Sequence, residues 1–180
     1  MSWLANYQPL DGVRLNMVVG ANGELTDETG SSRGLSNQTD RELIGYLRSI
    51  SDIYVTGGNT ARSENYRTPS NGTFAVITRD SIGLPGNLFI TPPIGEPVTA
   101  SALKQLRFEG FTRILLEVGP SLASQFLVDD LVDELCLTIP SGDVEVGEKL
   151  LSAFGSTLTL TKTFSEAGTL FTIWRRGNDS

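Results

Sequence analysis

The sequence predicts an α/β fold with a mostly parallel central sheet, flanking helices and an antiparallel hairpin at the C-terminus. Residues 52–64 (DIYVTGGNTARSE) and 113–127 (RILLEVGPSLASQFL) share one pattern, an apolar strand that runs into glycine and then into a helix. Apolar strands without alternation are typical of a parallel sheet that is buried on both faces. Residues 157–176 instead alternate polar and apolar positions around SEAG, which predicts a hairpin that is polar on one face.

The first strand is predicted at residues 13–20, VRLNMVVG. The following Asn22-Gly23 is turn chemistry, because this dipeptide tolerates positive φ. Residues 24–34 are rich in Gly, Ser and Thr and form a long polar loop. Long loops in compact domains are usually functional or mobile.

A capping box of Thr39 and Glu42 predicts the start of the first helix. Arg48 falls in its last turn, where the helix dipole favours a cation. The apolar face of this helix is formed by Leu43, Ile44 and Leu47. The next strand, residues 53–55, precedes Gly57 and Gly58, and Asn59 and Thr60 are then predicted to cap a short polar helix.

A third strand is predicted at residues 73–78 and a short fourth strand at 88–90. Prolines keep the next loop extended before a helix at 99–109. This helix is expected to turn Leu103, Leu106 and Phe108 towards the core.

The later elements are a strand at 113–119, a helix at 121–128 with Pro120 at its first position, and a strand at 134–139. Residues 141–148 are predicted to be a polar loop. We expect one domain over residues 1–180, with an N-terminal extension at 1–12 and a frayed tail at 177–180.

Composition excludes several classes of function. A formal net charge of -7 argues against a general nucleic-acid or membrane-surface binder, so an anionic ligand would need local arginines. With no histidine and one cysteine, a zinc site or a Ser-His-Asp triad is not expected. Cys136 lies in an apolar strand and is expected to be a buried small hydrophobe. The lack of a disulfide framework, and an N-terminus without a basic region or a long apolar run, favour the cytoplasm.

The two glycine loops predict a nucleotide site. Two parallel strands that each end in glycine and a helix N-terminus at one sheet edge form a crevice for a dinucleotide. Neither loop is the GxGxxG of the Rossmann fold. The alternative is a pair of ordinary βα loops in which glycine serves only the turn.

Five further side chains have functional and structural interpretations. Arg79, with Thr78 beside it, ends a strand where an arginine can bind the 2′-phosphate of NADPH, or it is a solvated loop arginine. Glu117 ends a buried strand and is either a proton donor or a structural carboxylate. Arg33 and Arg67 could grip a substrate phosphate, or they are surface arginines.

The chain resembles the reductase domain of bacterial riboflavin biosynthesis, which has a dihydrofolate reductase-like fold. The resemblance covers about residues 13–176 and is carried by three segments: VRLNMVVGANG, GSSRGLSNQTDRELIGYLRSISDIYVTGGNTARSENY and LLEVGPSLASQFLVDDLVDEL. It is closest to small single-domain proteins of the pyrimidine reductase-like type.

The resemblance assigns roles to residues of this chain. It implies cofactor contacts at Gly20, Gly57, Gly58, Thr60, Gly119, Pro120, Ser121 and Leu122, to which the position at a strand end adds Thr78 and Arg79. It implies substrate contacts at Ser32, Arg33, Glu64 and Tyr66, to which the phosphate-binding chemistry of arginine adds Arg67, and catalytic positions at Asn22 and Glu117. Two positions depart from the family pattern: Asn22 replaces an aspartate, and Val118 replaces a glycine. An amide cannot serve as a carboxylate base, and a β-branched residue narrows the backbone options.

What the resemblance implies is an NADPH-dependent reductase of a ribosylaminopyrimidine phosphate, acting as a homodimer by hydride transfer to the sugar C1. Two alternatives stay open. One is an NADPH-dependent reductase of another small molecule, such as a pterin or a flavin-like ring. The other is an inactive nucleotide-binding relic, in which Asn22 and Val118 mark lost chemistry.

Overall fold

The computed structural model describes residues 2–68, 72–140 and 142–177. Its strands are β1 (Gly12–Val18), β2 (Ile53–Gly57), β3 (Thr73–Ile77), β4 (Leu88–Ile90), β5 (Arg113–Leu116), β6 (Glu134–Ile139), β7 (Thr159–Glu166) and β8 (Thr169–Arg175). Within the described residues they form one sheet in the order β4-β3-β2-β5-β1-β6-β8-β7. The pairings among β1 to β6 are parallel, whereas β8 is antiparallel to both β6 and β7. The predicted fold class is confirmed.

Helices cover both faces of this sheet. They are α1 (Gln38–Ser49), α2 (Gly58–Ser63), α3 (Val98–Phe108), α4 (Pro120–Val128) and α5 (Val144–Ala153). The apolar side chains of α3, α4 and α5 share one core cluster, and those of α1 and α2 share the cluster on the other face. None of the helices in the described ranges combines the length and the apolar character that crossing a membrane requires.

The N-terminal extension packs onto the sheet. Residues Trp3–Asn6 form a short 3-10 helix, and the ring of Trp3 stacks on Phe171 with centroids 4.8 Å apart. Tyr7 is buried in the α1 cluster. The sequence pattern identified no structure here, because the packing of Trp3 depends on a strand more than 160 residues further along the chain.

The predicted capping box of α1 is wrong. The helix begins at Gln38, and its N-cap is Asn37, whose side-chain oxygen accepts a hydrogen bond from the backbone N–H of Asp40 at 3.0 Å. Thr39 lies inside the first turn and donates its hydroxyl to Asn37. Asn37 competes successfully because asparagine caps a helix at least as well as threonine does.

The predicted caps of α2 are also wrong. The helix begins at Gly58, directly after β2, with Gly57 as N-cap and no side-chain cap hydrogen bond. Asn59 and Thr60 therefore lie within the helix. Gly57 and Gly58 are both buried, and neither has positive φ.

Two predictions about the helices on the other face are wrong. Residues 144–148 are not loop but the start of α5, which Asp143 caps by accepting from the N–H of Glu145. Polar residues precede this helix in the sequence, but Val146, Leu150 and Leu151 form a buried apolar stripe along it. In α3, Phe108 is 89% exposed rather than directed to the core.

The C-terminal hairpin is confirmed, but its burial differs from the pattern. Strand β7 is the exposed edge, whereas β8 lies between β6 and β7 and is buried on both faces up to Trp174. The predicted polar face therefore applies to β7 alone. The start of the predicted polar loop, Ser141, and the frayed tail from 178 lie outside the described residues.

Candidate active site

A cavity of about 910 Å³ opens at the carboxyl edge of the parallel strands. It lies between the 25–36 loop, α1 and the segments that follow β2 and β5. The predicted site residues that line it are Ser32, Arg33, Thr60, Glu64, Tyr66, Arg67, Glu117, Gly119 and Pro120. Carboxyl edges of parallel sheets are where α/β folds bind ligands.

The two glycine loops meet at this edge because β2 and β5 are neighbouring parallel strands. A Cβ on Gly119 would lie 2.6 Å from the hydroxyl of Thr60, and one on Gly57 would lie 3.5 Å from Leu122. Both α2 and α4 begin without a side-chain cap. In α4, Pro120 has no N–H and the N–H of Leu122 donates to the backbone oxygen of Gly119. Uncapped N–H groups in adjoining loops form a cradle suited to an anion.

Gly58 has a packing role that the sequence did not reveal. A Cβ at this position would lie 2.7 Å from the hydroxyl and 3.0 Å from the Cβ of Thr78. The glycine thus lets α2 pack against the end of β3, and its φ is not in the left-handed region.

Glu117 is the centre of an ion pair at the cavity wall. Its two oxygens accept from Nε and Nη2 of Arg48 at 2.8 and 2.5 Å, and the hydroxyl of Tyr66 donates to it at 3.3 Å. Burial by itself lowers the pKa of Arg48. The hydrogen bonds and the charge of Glu117 outweigh this effect, so the pKa of Arg48 is raised overall. The guanidinium also lies 4.3 Å from the ring centroid of Tyr54. Burial, assisted by the charge of Glu117, raises the pKa of Tyr66, so this hydroxyl keeps its proton.

Glu64 fixes the loop that carries Ser32 and Arg33. Its Oε1 accepts from the backbone N–H and the hydroxyl of Ser32 at 2.9 and 2.8 Å. Earlier in the same loop, the carboxylate of Asp27 accepts hydrogen bonds from Thr29, Ser31 and Gly34. The polar loop predicted from composition is therefore held in place by two carboxylates.

The predicted phosphate-binding arginines lie at the rim of the cavity. Arg33 and Arg67 both line it, and both side chains are exposed. Arg79 is exposed at the end of β3 and does not line the cavity. Thr78 donates to the backbone oxygen of Asp80, to which Arg62 also donates.

The turn after β1 lies outside the cavity lining. Asn22 is exposed and donates its side-chain amide to Glu24 at 2.8 Å, and this bond is the main cause of the lowered pKa of Glu24. Gly20 is buried, and a Cβ there would lie 2.5 Å from the Glu24 carboxylate. In the first turn of α4, Ser121 is exposed and Leu122 half-buried.

Several cavity residues had no functional signal in the sequence. Arg48 looked like a helix-terminal cation, Tyr54 like a core residue, and Asn16 and Asp40 carried no motif. All four line the cavity, Asp40 and Arg48 from α1, Asn16 from β1 and Tyr54 from β2. Asn16 could have been noticed as a polar residue inside the apolar run of β1, because burying a polar group without a hydrogen-bond partner costs free energy.

Comparisons with known proteins agree with this architecture. The family model described as the RibD C-terminal domain matches residues 97–154, which include the loop from Glu117 to Leu122. A sequence comparison with the curated proteins found no match.

Solved structures are similar over nearly the whole chain. A pyrimidine reductase-like protein from Corynebacterium diphtheriae matches with a TM-score of 0.73 and 21% identity, covering 94% of this chain and 93% of its own. A diaminohydroxyphosphoribosylaminopyrimidine deaminase/5-amino-6-(5-phosphoribosylamino)uracil reductase from Thermotoga maritima matches with a TM-score of 0.71 and 16% identity, covering 92% of this chain and 56% of its own. Dihydrofolate reductase from Enterococcus faecalis, complexed with NADP(H), matches with a TM-score of 0.59 and 13% identity, covering 94% of this chain and 98% of its own. The chain thus has the dihydrofolate reductase-like fold, and its segment 97–154 matches the RibD C-terminal domain.

Proposed function

We propose that this chain is a single-domain NADPH-dependent reductase that acts in riboflavin biosynthesis on a phosphorylated ribosylaminopyrimidine of the 5-amino-6-(5-phosphoribosylamino)uracil type. The observation that carries the proposal is the cavity at the carboxyl edge, where the glycine loops after β2 and β5 adjoin. The match of residues 97–154 to the RibD C-terminal domain supports it, as does the fold shared with a reductase of that pyrimidine.

The residues present fit a dinucleotide. Residues 57–60 and 119–122 offer uncapped helix N-termini for the pyrophosphate, and Thr78 and Arg79 stand at the neighbouring strand end. When bound, the reduced nicotinamide supplies the hydride that reduces C1 of an open-chain imine or aldehyde. Gly20, in the turn after β1, completes the proposed cofactor contacts.

The protein's own contribution is binding and electrostatics. Arg33 and Arg67 would bind the substrate phosphate at the rim, while Ser32, Glu64 and Tyr66 shape the inner wall. Glu117 remains the catalytic candidate in the cavity, where hydrogen bonds from Arg48 and Tyr66 fix the position of its carboxylate. Asn22 is the second candidate and can offer only hydrogen bonds.

Oxidation of NADPH with the phosphorylated pyrimidine tests this function. We expect turnover by the wild type, and a large rise in KM when Arg33 and Arg67 are both replaced by alanine. Arg107→Ala, an exposed arginine on α3, is the matched control. NADPH binding without turnover of the pyrimidine would favour the relic. Turnover of a pterin or flavin-like ring that is insensitive to Arg33 and Arg67 would favour another substrate.

Cofactor preference tests Arg79 separately. A charge-assisted contact is worth roughly 1.5–3 kcal/mol, and exposure places this one at the lower end, or about tenfold in affinity. We expect NADPH to bind better than NADH, and Arg79→Ala to remove most of that preference. Equal affinities of the wild type for both cofactors would contradict the assignment.

We also propose a homodimer in the cytoplasm. The exposed edge strand β7 offers a pairing surface, and the single cysteine, Cys136, is a buried free thiol. Light scattering is expected to give twice the chain mass of 19.4 kDa. A mass of one chain at micromolar concentration would contradict the dimer.

A further inference from the structure

One wall of the cavity presents hydrogen-bond acceptors that the described part of the chain leaves unpaired. Asp40 is 1% exposed and Asn16 is 8% exposed, and both line the cavity. Both carboxylate oxygens of Asp40 and the amide oxygen of Asn16 have no hydrogen-bond partner among the described residues. We call Asp40 and Asn16 the acceptor wall. Buried polar groups are normally hydrogen-bonded, because an unpaired one costs free energy.

The other carboxylates that line the cavity are paired. Glu117 is held by Arg48 and Tyr66, and Glu64 by Ser32. The acceptor wall is therefore not a general feature of the cavity but a local excess of acceptors.

Neighbouring elements do not supply the missing donors. In the first turn of α1, the backbone N–H of Asp40 donates to the side-chain oxygen of Asn37. The carboxylate of Asp40 has no hydrogen-bond partner among the described residues. The guanidinium of Arg14, on β1, donates its hydrogen bonds to Glu134 and to the backbone oxygen of Gln8. The buried hydroxyl of Tyr7 is also unpaired in the described residues; burial is the main cause of its raised pKa, and Cys136, Glu134 and Asp40 add to the rise.

The cavity is electrostatically divided. The exposed arginines Arg33 and Arg67 stand at its rim, whereas the acceptor wall is buried. A ligand that matches both ends has an anionic group outside and N–H donors inside. A carboxylate accepts best from two N–H groups that lie side by side.

We infer that the acceptor wall binds the N–H edge of an aminopyrimidine ring, with two adjacent N–H donors on the carboxylate of Asp40 and a further donor on Asn16. This inference rests on the proposed function, because it names the ring chemistry recognised in the same cavity. The ring-closed 5-amino-6-ribosylaminouracil and the reduced ribitylamino product carry such a pair of donors on neighbouring carbons, and the protonated open-chain imine between them keeps its N–H. The ring then lies inside and the phosphate at the rim.

Direct binding of two isosteric probes tests the wall without cofactor or turnover. The probes are 5,6-diaminouracil, which carries the donors, and 5,6-dimethyluracil, in which methyl groups replace them. We expect the wild type to prefer the diamino probe by at least tenfold, and Asp40→Asn to lose that preference, because one acceptor becomes a donor and the charge is removed. Glu42→Gln makes the same charge change at an exposed position of α1 and is expected to keep the preference.

The melting temperature without ligand separates recognition from structure. Since Asp40→Asn removes an unpaired buried charge, it is expected to leave the melting temperature unchanged or to raise it. A lowered melting temperature together with an unchanged probe preference would overturn the inference and assign Asp40 to buried water. Failure of the wild type to bind or to prefer the diamino probe would overturn it as well. If NADPH oxidation fails but the preference depends on Asp40, the proposed reaction is wrong and the ring site stands.

Discussion

Replacing Glu117 by glutamine is expected to destabilise the protein through the half-buried Arg48. The substitution keeps the size of the side chain but removes the charge that binds both Nε and Nη2 of the guanidinium. Arg48 is fixed above the ring of Tyr54 and has no second carboxylate within bonding distance among the described residues. Its charge therefore loses its main compensation.

The expected magnitude follows from how far each partner is buried. Breaking a fully buried ion pair by removing one partner costs about 3–5 kcal/mol, whereas exposed pairs contribute about 0–1 kcal/mol. The side chain of Glu117 is 7% exposed and that of Arg48 is 34% exposed, so water can partly rehydrate the arginine. We expect a loss of about 2–3 kcal/mol. At about 2–4 °C per kcal/mol for a chain of this size, the melting temperature falls by about 4–12 °C.

Thermal unfolding monitored by circular dichroism measures this loss. The matched control is Asp80→Asn, which removes a carboxylate from the Arg62 pair, where the side chains are 41% and 66% exposed. The control is expected to shift the melting temperature by no more than about 2 °C. If Glu117→Gln melts within that same margin, or if both variants fall equally, the inference of a buried, energetically significant pair is refuted.

Two further stability predictions follow from the same structure. Gly58→Ala is expected to cost about 1–3 kcal/mol by overpacking against Thr78, whereas Gly57→Ala meets only Leu122 at an ordinary 3.5 Å and is expected to melt like the wild type; equal melting temperatures for the two would contradict the packing role. Hydrogen bonds from Arg113 lower the pKa of Asp52 from 3.8 to about 2, so the stabilisation from this carboxylate is fully present above about pH 4 and is lost as the pH falls from about 4 to 2. Asp52→Asn is expected to flatten the pH dependence of stability in that window, and an unchanged acid profile would show that the pair contributes nothing.

The sheet was predictable because its strands are signalled locally. Apolar runs that end in glycine or proline mark β2, β5 and the start of α4, and the predicted bounds of β6 are those of the structure. Helix starts were less predictable, since several adjacent residues can each cap, as with Asn37 and Thr39. The missed α5 shows the same limit, because polar residues precede the helix and its apolar residues form a recognisable stripe only against the sheet.

The candidate site likewise has some features with a local sequence signal and others that depend on the tertiary structure. From the sequence alone came the glycine loops, the rim arginines and Glu117, because strand ends and turn residues are local signals that converge at one edge of a parallel sheet. Only the tertiary structure brought Arg48 onto Glu117, packed Gly58 against Thr78, and left the acceptors of Asp40 and Asn16 unpaired in the described cavity wall. The physical reason is that charge pairing, close packing and hydrogen-bond satisfaction depend on residues far apart in the chain. A helical arginine or aspartate has the same local pattern whether its partner is water, a carboxylate 69 residues away or a ligand.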